Sequence, residues 1–94
     1  MSARDRIRWI GKEVVEFRGI ELVCEIPCYF DPDRNAYTAI ISDHGVKGGE
    51  LSRLSAAEVE YVTRALRSAL GVNRLLGIPI GRRNVYVQHE QRVV

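Results

Sequence analysis

Leu54-Ser-Ala-Ala-Glu-Val-Glu-Tyr-Val-Thr-Arg-Ala-Leu-Arg-Ser-Ala-Leu-Gly71 carries the start and stop signals of one helix. Ser55 can cap the first turn, and Glu58, three residues on, can reach back to the Ser55 backbone N–H, which makes a capping box. Leu54 and Val59 flank the box at the hydrophobic-staple positions. Gly71 falls where a left-handed C-terminal cap is wanted. Wound at about 100° per residue, Val59, Val62, Leu66, Ala69 and Leu70 share one side, the predicted core face. Glu60, Arg64 and Arg67 fall on the other side, with Glu60 and Arg64 in the favourable i,i+4 order. Nothing else in the chain is helical with comparable force, so the fold is one helix among strands.

Upstream of the helix the apolar period changes to two. Val15 and Phe17 alternate with Glu16 and Arg18, and Arg18-Gly19 makes a tight turn. Ile20, Leu22, Cys24 and Ile26 then alternate with Glu21, Val23 and Glu25 as a half-buried strand. Pro27 lacks a ladder donor, so the strand is expected to end, bulge or lie on an edge there. Asp31-Pro-Asp-Arg-Asn35 is dense turn chemistry, and Tyr37–Ser42 is the next strand, so 20–30 and 36–42 form an antiparallel hairpin with a long loop. Asp43-His44-Gly45 and Lys47-Gly48-Gly49 read as loop. Downstream, Leu75–Ile80 is extended, with Pro79 placing it at an edge or making it irregular, Gly81–Asn84 turns, and Val85–His89 is the final strand. The expectation is a single α+β domain over 1–94. A small antiparallel sheet of about four to five strands, in the order β-β-β-α-β-β, packs on one helix at about 55–70. Residues 1–8 are expected as an arm and 91–94 as a tail.

Composition narrows the class. Of 94 residues, 46% are hydrophobic and 28% charged, which suits one globular domain rather than a disordered chain. No apolar run approaches the roughly 20 residues of a membrane helix, and Met1–Arg8 lacks an apolar signal core. A soluble, cytoplasmic protein without membrane contact is therefore expected. Charge is unevenly placed. Residues 1–18 hold five basic and three acidic side chains (+2), 19–60 hold three and eight (−5), and 61–94 hold six and one (+5), summing to the net +2. Such a polarised chain complements itself in a fold or a dimer, or presents a basic face to a partner.

No motif signals catalysis. Cys24 and Cys28 have thiolates suited to zinc, with His44 and His89 as further donors, but an extended strand sets residues four apart at about 13 Å. Free cysteines on an apolar strand face are ordinarily small core residues. Asp31-x-Asp33-x-Asn35 copies the start of a calcium loop and then fails, with Ala36 at the sixth position and Ser42 at the twelfth. Gly48-Gly49 is too short for a phosphate loop. No catalytic residue, metal or cofactor is expected.

Two surfaces remain. Ala57, Tyr61, Arg64 and Ser68 line the helix side away from the core, and an outward Tyr and Arg among small residues match the anchors of protein interfaces. Tyr61, Arg64 and Ser68 are accordingly the expected contacts of a protein partner or of a second copy in a homodimer. Arg82 and Arg83 at a hairpin tip, with Tyr86 on the next strand and Arg74 nearby, form the alternative, a basic surface for nucleic acid. Arg4, Arg6 and Arg8 with Trp9 make a second basic-aromatic patch. Tyr37-Thr38-Ala39 followed by Ser55-Ala-Ala-Glu58, in the order hairpin, loop, capped helix, resembles the N-terminal part of HicB-type antitoxin domains over roughly 20–70. That resemblance implies a nucleic-acid-binding regulatory protein. The chain before residue 20 and the Arg-Arg segment after residue 71 lie outside it.

Overall fold

A computed structural model describes residues 6–90, so 1–5 and 91–94 of the expected arm and tail lie outside the described residues. The described chain runs β1 (Ile7–Gly11), β2 (Val14–Arg18), β3 (Leu22–Asp31), β4 (Ala36–Ser42), β5 (His44–Lys47), β6 (Glu50–Arg53), α1 (Ala56–Leu70), β7 (Val72–Leu75), β8 (Ile78–Arg82) and β9 (Asn84–Glu90). It is an α+β domain in which one helix covers one face of a mostly antiparallel sheet. The described strands number nine, more than the four to five expected.

The main sheet has seven strands, with β1-β2-β3-β4-β9 as its path and β5 and β6 attached through β3. β3 continues through Pro27 instead of stopping. The Cys28 N–H donates to the Glu13 carbonyl on the β2 side at 2.8 Å. Successive residues of a strand face opposite edges, so position 27 faces the other edge. There β5 pairs only up to Val23 and β4 only from Cys28 onward. Pro27 therefore stands where no donor is needed.

Three further expectations are corrected. His44–Lys47 is strand, not loop: β5 and β6 form a hairpin closed at the expected turn by Gly48 (φ 58°) and Gly49 (φ 86°), the backbone that a two-residue primed turn demands. The final strand does not pair with Leu75–Ile80. β9 instead lies parallel to β4, from Ala36↔Asn84 to Ser42↔Glu90, which seats Val85 and Val87 beside Tyr37 and Ala39 at the core. Ile7 and Arg8, placed in the arm by sequence, belong to β1.

The helix begins as read. Glu58 N–H donates to Ser55 Oγ at 3.1 Å, and Ser55 N–H donates to Glu58 Oε1 at 2.7 Å. Its end differs: Gly71 is right-handed (φ −77°). A Cβ at residue 71 would lie 2.5 Å from the Arg67 carbonyl oxygen, so close approach, not positive φ, calls for glycine. Val62, Ala65, Leu66 and Leu70 bury the inner face against Val15, Phe17, Cys24, Ile26, Ala39 and Ile41. Val59 and Ala69 are half-buried at its margins.

Two carboxylates tie the frame together. Glu16, buried on the face away from the helix, accepts from Arg18 Nε (3.1 Å) and Arg8 Nε (3.2 Å). Arg18 beside it holds its carboxyl below the usual carboxylate range, against the opposing effect of burial. Glu58 adds Lys47 Nζ at 2.5 Å to its capping bonds, and the Lys47 hydrogen bond lowers its pKa. Both groups bind protons less readily folded than unfolded. Their stabilisation is thus complete above the ordinary carboxylate pKa and declines as pH falls through that range towards their lowered values. Denaturant unfolding measured from pH 7 to pH 3 is expected to show stability falling with acid, with a shallower fall in Glu16→Gln and in Glu58→Gln. Equal slopes in the variants and the parent would contradict this assignment.

Candidate functional site

The segment after the helix forms an isolated two-stranded ribbon. Leu76 (φ 53°) and Gly77 (φ 81°) make its turn, with both central residues left-handed as in a type I′ hairpin. Leu75 faces Ile78 and Arg74 faces Pro79, while Asn73 faces Gly81, so Ile80 is the extra residue of a bulge. The register puts Leu75 and Ile78 on one face with Asn73 and Gly81, and Arg74, Pro79 and Arg82 on the other, with Ile80 unpaired at the bulge. Leu76 stands at the tip and is 95% exposed; Leu75, Ile78 and Ile80 are 61%, 64% and 63% exposed. Arg74 Nη1 donates to the Gly77 carbonyl at 3.3 Å and clasps the turn.

A groove of about 560 Å³ lies at the other end of the helix. Phe17, Leu22 and Tyr61 form its apolar walls, Ile20 stands at its rim with 93% exposure, and Glu21 adds a carboxylate. The Tyr61 ring meets Phe17 edge-on at 5.8 Å, and the Arg6 guanidinium lies 6.0 Å from the Tyr61 centroid.

The expected interface on the outer side of the helix is divided. Tyr61 lines this groove. Arg64 sits 3.9 Å from Glu60 and lines a separate cavity of about 480 Å³ with Arg53, Arg67 and His89. Ser68 is exposed and lines neither.

The basic residues are rearranged as well. Arg82 and Arg83 are not at a hairpin tip, because the tip is Leu76-Gly77; Arg82 ends β8 opposite Val72, and Arg83 links β8 to β9. Arg82, Arg83 and Tyr86 line a cavity of about 440 Å³ with Arg67 and Asn84, whereas Arg74 remains on the ribbon. Arg83 is partly committed: its guanidinium lies 5.1 Å from the Tyr37 centroid and 5.9 Å from Phe30, and its Nη2 donates to Asn73 Oδ1. In the second basic-aromatic patch, Arg4 lies outside the described residues, Arg6 turns to Tyr61 and Arg8 to Glu16. Trp9 packs at 5.7 Å on Tyr37.

Cys24 and Cys28 follow one another along the buried face of β3, and burial pushes both thiols up to about 11. Asp31 Oδ1 accepts from the Asp33 N–H (3.0 Å) inside its own turn. His44 Nδ1 is 2.8 Å from Asp43 Oδ1. Among the described residues no three His, Cys, Asp or Glu side chains group to hold a metal, and no helix is long and apolar enough to cross a membrane.

The ribbon is hidden in the sequence by Pro79, although Leu75-Leu76-Gly77-Ile78, with aliphatic residues on both sides of a glycine, is the pattern of a tight hairpin. No protein-family model, curated protein or solved structure matches the chain. Where the sequence order hairpin, loop, capped helix expects a loop, the structure has the β5–β6 hairpin.

Proposed function

We propose that this chain is a non-catalytic module that works through protein–protein contacts, with the β7–β8 ribbon as its contact element. The observation that carries the reading is Leu76. A large aliphatic side chain is 95% exposed on a left-handed backbone (φ 53°), where asparagine or glycine would be more stable. That conformation costs a bulky residue roughly 1–2 kcal/mol. Burying one Leu or Ile side chain returns about 1.5–3 kcal/mol, and the ribbon displays four. A lone two-stranded hairpin is marginal in water, so a ribbon with this aliphatic face gains order from whatever covers it.

Photo-crosslinking tests the reading. With a photoreactive residue at position 76, the protein expressed in cells is expected to form discrete protein adducts, whereas the same group at position 33, in the β3–β4 turn, forms none. Equal or absent labelling at both positions would overturn it.

One observation favours a second reading, nucleic-acid binding. The cavity holding Arg67, Arg82 and Arg83 has no carboxylate among its lining residues. Binding to duplex or single-stranded nucleic acid is then expected to weaken steeply with salt. The log–log slope falls by about one for each phosphate that the Arg82→Ala/Arg83→Ala double variant no longer neutralises. Absence of binding at low salt removes this reading.

A further inference from the structure

We infer that the occupant of the ribbon is a second copy of this chain, whose Phe17–Ile20–Leu22–Tyr61 groove receives it while the first copy's groove receives the second ribbon. The inference rests on the ribbon being a protein-contact element, and it names the partner.

Two unfilled apolar features of opposite shape occur on one chain: a ribbon ending in Leu76 and a groove rimmed by Ile20. They sit at opposite ends of α1. The ribbon departs after Leu70, and the groove is lined by Ala57, Glu58 and Tyr61. At about 1.5 Å per residue the two are some 20 Å apart along the helix, so one chain does not fill its own groove. Two copies with antiparallel helices bring each ribbon to the other's groove. That arrangement is two-fold symmetric and closed, and each contact is made twice.

Charge favours the same occupant. Among the described residues, Arg74 and Arg82 on the ribbon have no carboxylate partner, and Glu21 in the groove has no cation. Of the other charges of the groove, Glu58 pairs with Lys47, and Arg6 lies over Tyr61 with its Nε buried and lacking a hydrogen-bond partner among the described residues. Residues 72–82 carry Arg74 and Arg82 and no carboxylate, whereas the groove lining carries Glu21 and Glu58 against Arg6. Reciprocal docking matches these opposite signs twice.

Sedimentation of purified chains tests the inference with two variants chosen to leave the fold intact. Leu76→Asn installs the preferred turn residue on the ribbon, and Ile20→Lys alters a side chain exposed in the monomer. The parent chain is expected at twice its 10.7 kDa mass. Each variant alone carries a defect in both contacts of the pair and is expected to weaken dimerisation by at least about tenfold. Mixed together, the two variants restore one intact contact, because the Ile20→Lys chain's ribbon enters the Leu76→Asn chain's groove. The mixture is expected to form a heterodimer that neither variant forms alone. A monomeric parent, an Ile20→Lys chain that dimerises like the parent, or a mixture that stays monomeric would each overturn the inference. A monomeric parent whose position 76 still crosslinks to a different protein would overturn the second copy and leave the contact role of the ribbon standing.

Discussion

Phe17→Ala is expected to destabilise the fold by about 3–5 kcal/mol, the usual cost of truncating a buried phenylalanine. Phe17 is 1% exposed and is the largest of the fully buried side chains. Its backbone stands between Ile7 of β1 and Cys24 of β3, and its ring meets Tyr61 of α1 edge-on. It is thus the point where the sheet, its edge strand and the helix share one side chain. The same ring walls the groove, so truncation opens the groove into the core and lets water reach Cys24 and Ile26. For a domain this small the loss corresponds to a fall in melting temperature of about 15–30 °C. Thermal and denaturant unfolding followed by circular dichroism measure it. A loss below about 1 kcal/mol would show that Phe17 is not packed as described.

Gly45→Ala is expected to cost about 1–3 kcal/mol, although alanine ordinarily suits a strand better than glycine. Gly45 lies in β5 opposite Ser52. A Cβ there would fall 2.9 Å from Cys24 Sγ and from Leu22 Cδ1, and 3.1 Å from Leu54 Cδ2. Leu54 is the staple residue ahead of the helix, so the clash is passed to the start of α1. The entropy that alanine removes from the unfolded chain returns about 0.4–1 kcal/mol, which the overpacking exceeds. Gly45→Ala combined with Leu22→Ala is expected to cost less than the sum of the two changes, since the second removes one of the obstructing atoms. Strict additivity in urea unfolding would place the clash elsewhere.

The readable parts of the sequence are those with local physics. Ser55 and Glu58 cap a helix through bonds that span three residues, and the alternation of Val15 with Glu16 or Cys24 with Glu25 follows from one pleat. Both are visible without knowing the neighbouring strands. β5 and β6, four residues each, are too short for alternation to register, and Gly48-Gly49 reads equally as loop. The parallel pairing of β9 with β4 depends on a crossover of some 40 residues that no local pattern encodes. The candidate site is legible only in part. Tyr61 and Arg64 share a side of the helix by periodicity, but which cavity each lines depends on the sheet beneath. The ribbon escapes a sequence reading because its four aliphatic side chains look like core, and only the fold shows that they face outward.

Amide hydrogen exchange of the full chain across a concentration series tests the docking of ribbon into groove most directly. Reciprocal docking predicts that the amides of residues 72–82 gain protection as concentration rises, together with those of residues 17–22 at the groove, over the same concentration range. The β3–β4 turn at residues 32–35 is expected to stay unchanged. Exchange of residues 72–82 that remains fast at every concentration would contradict the account.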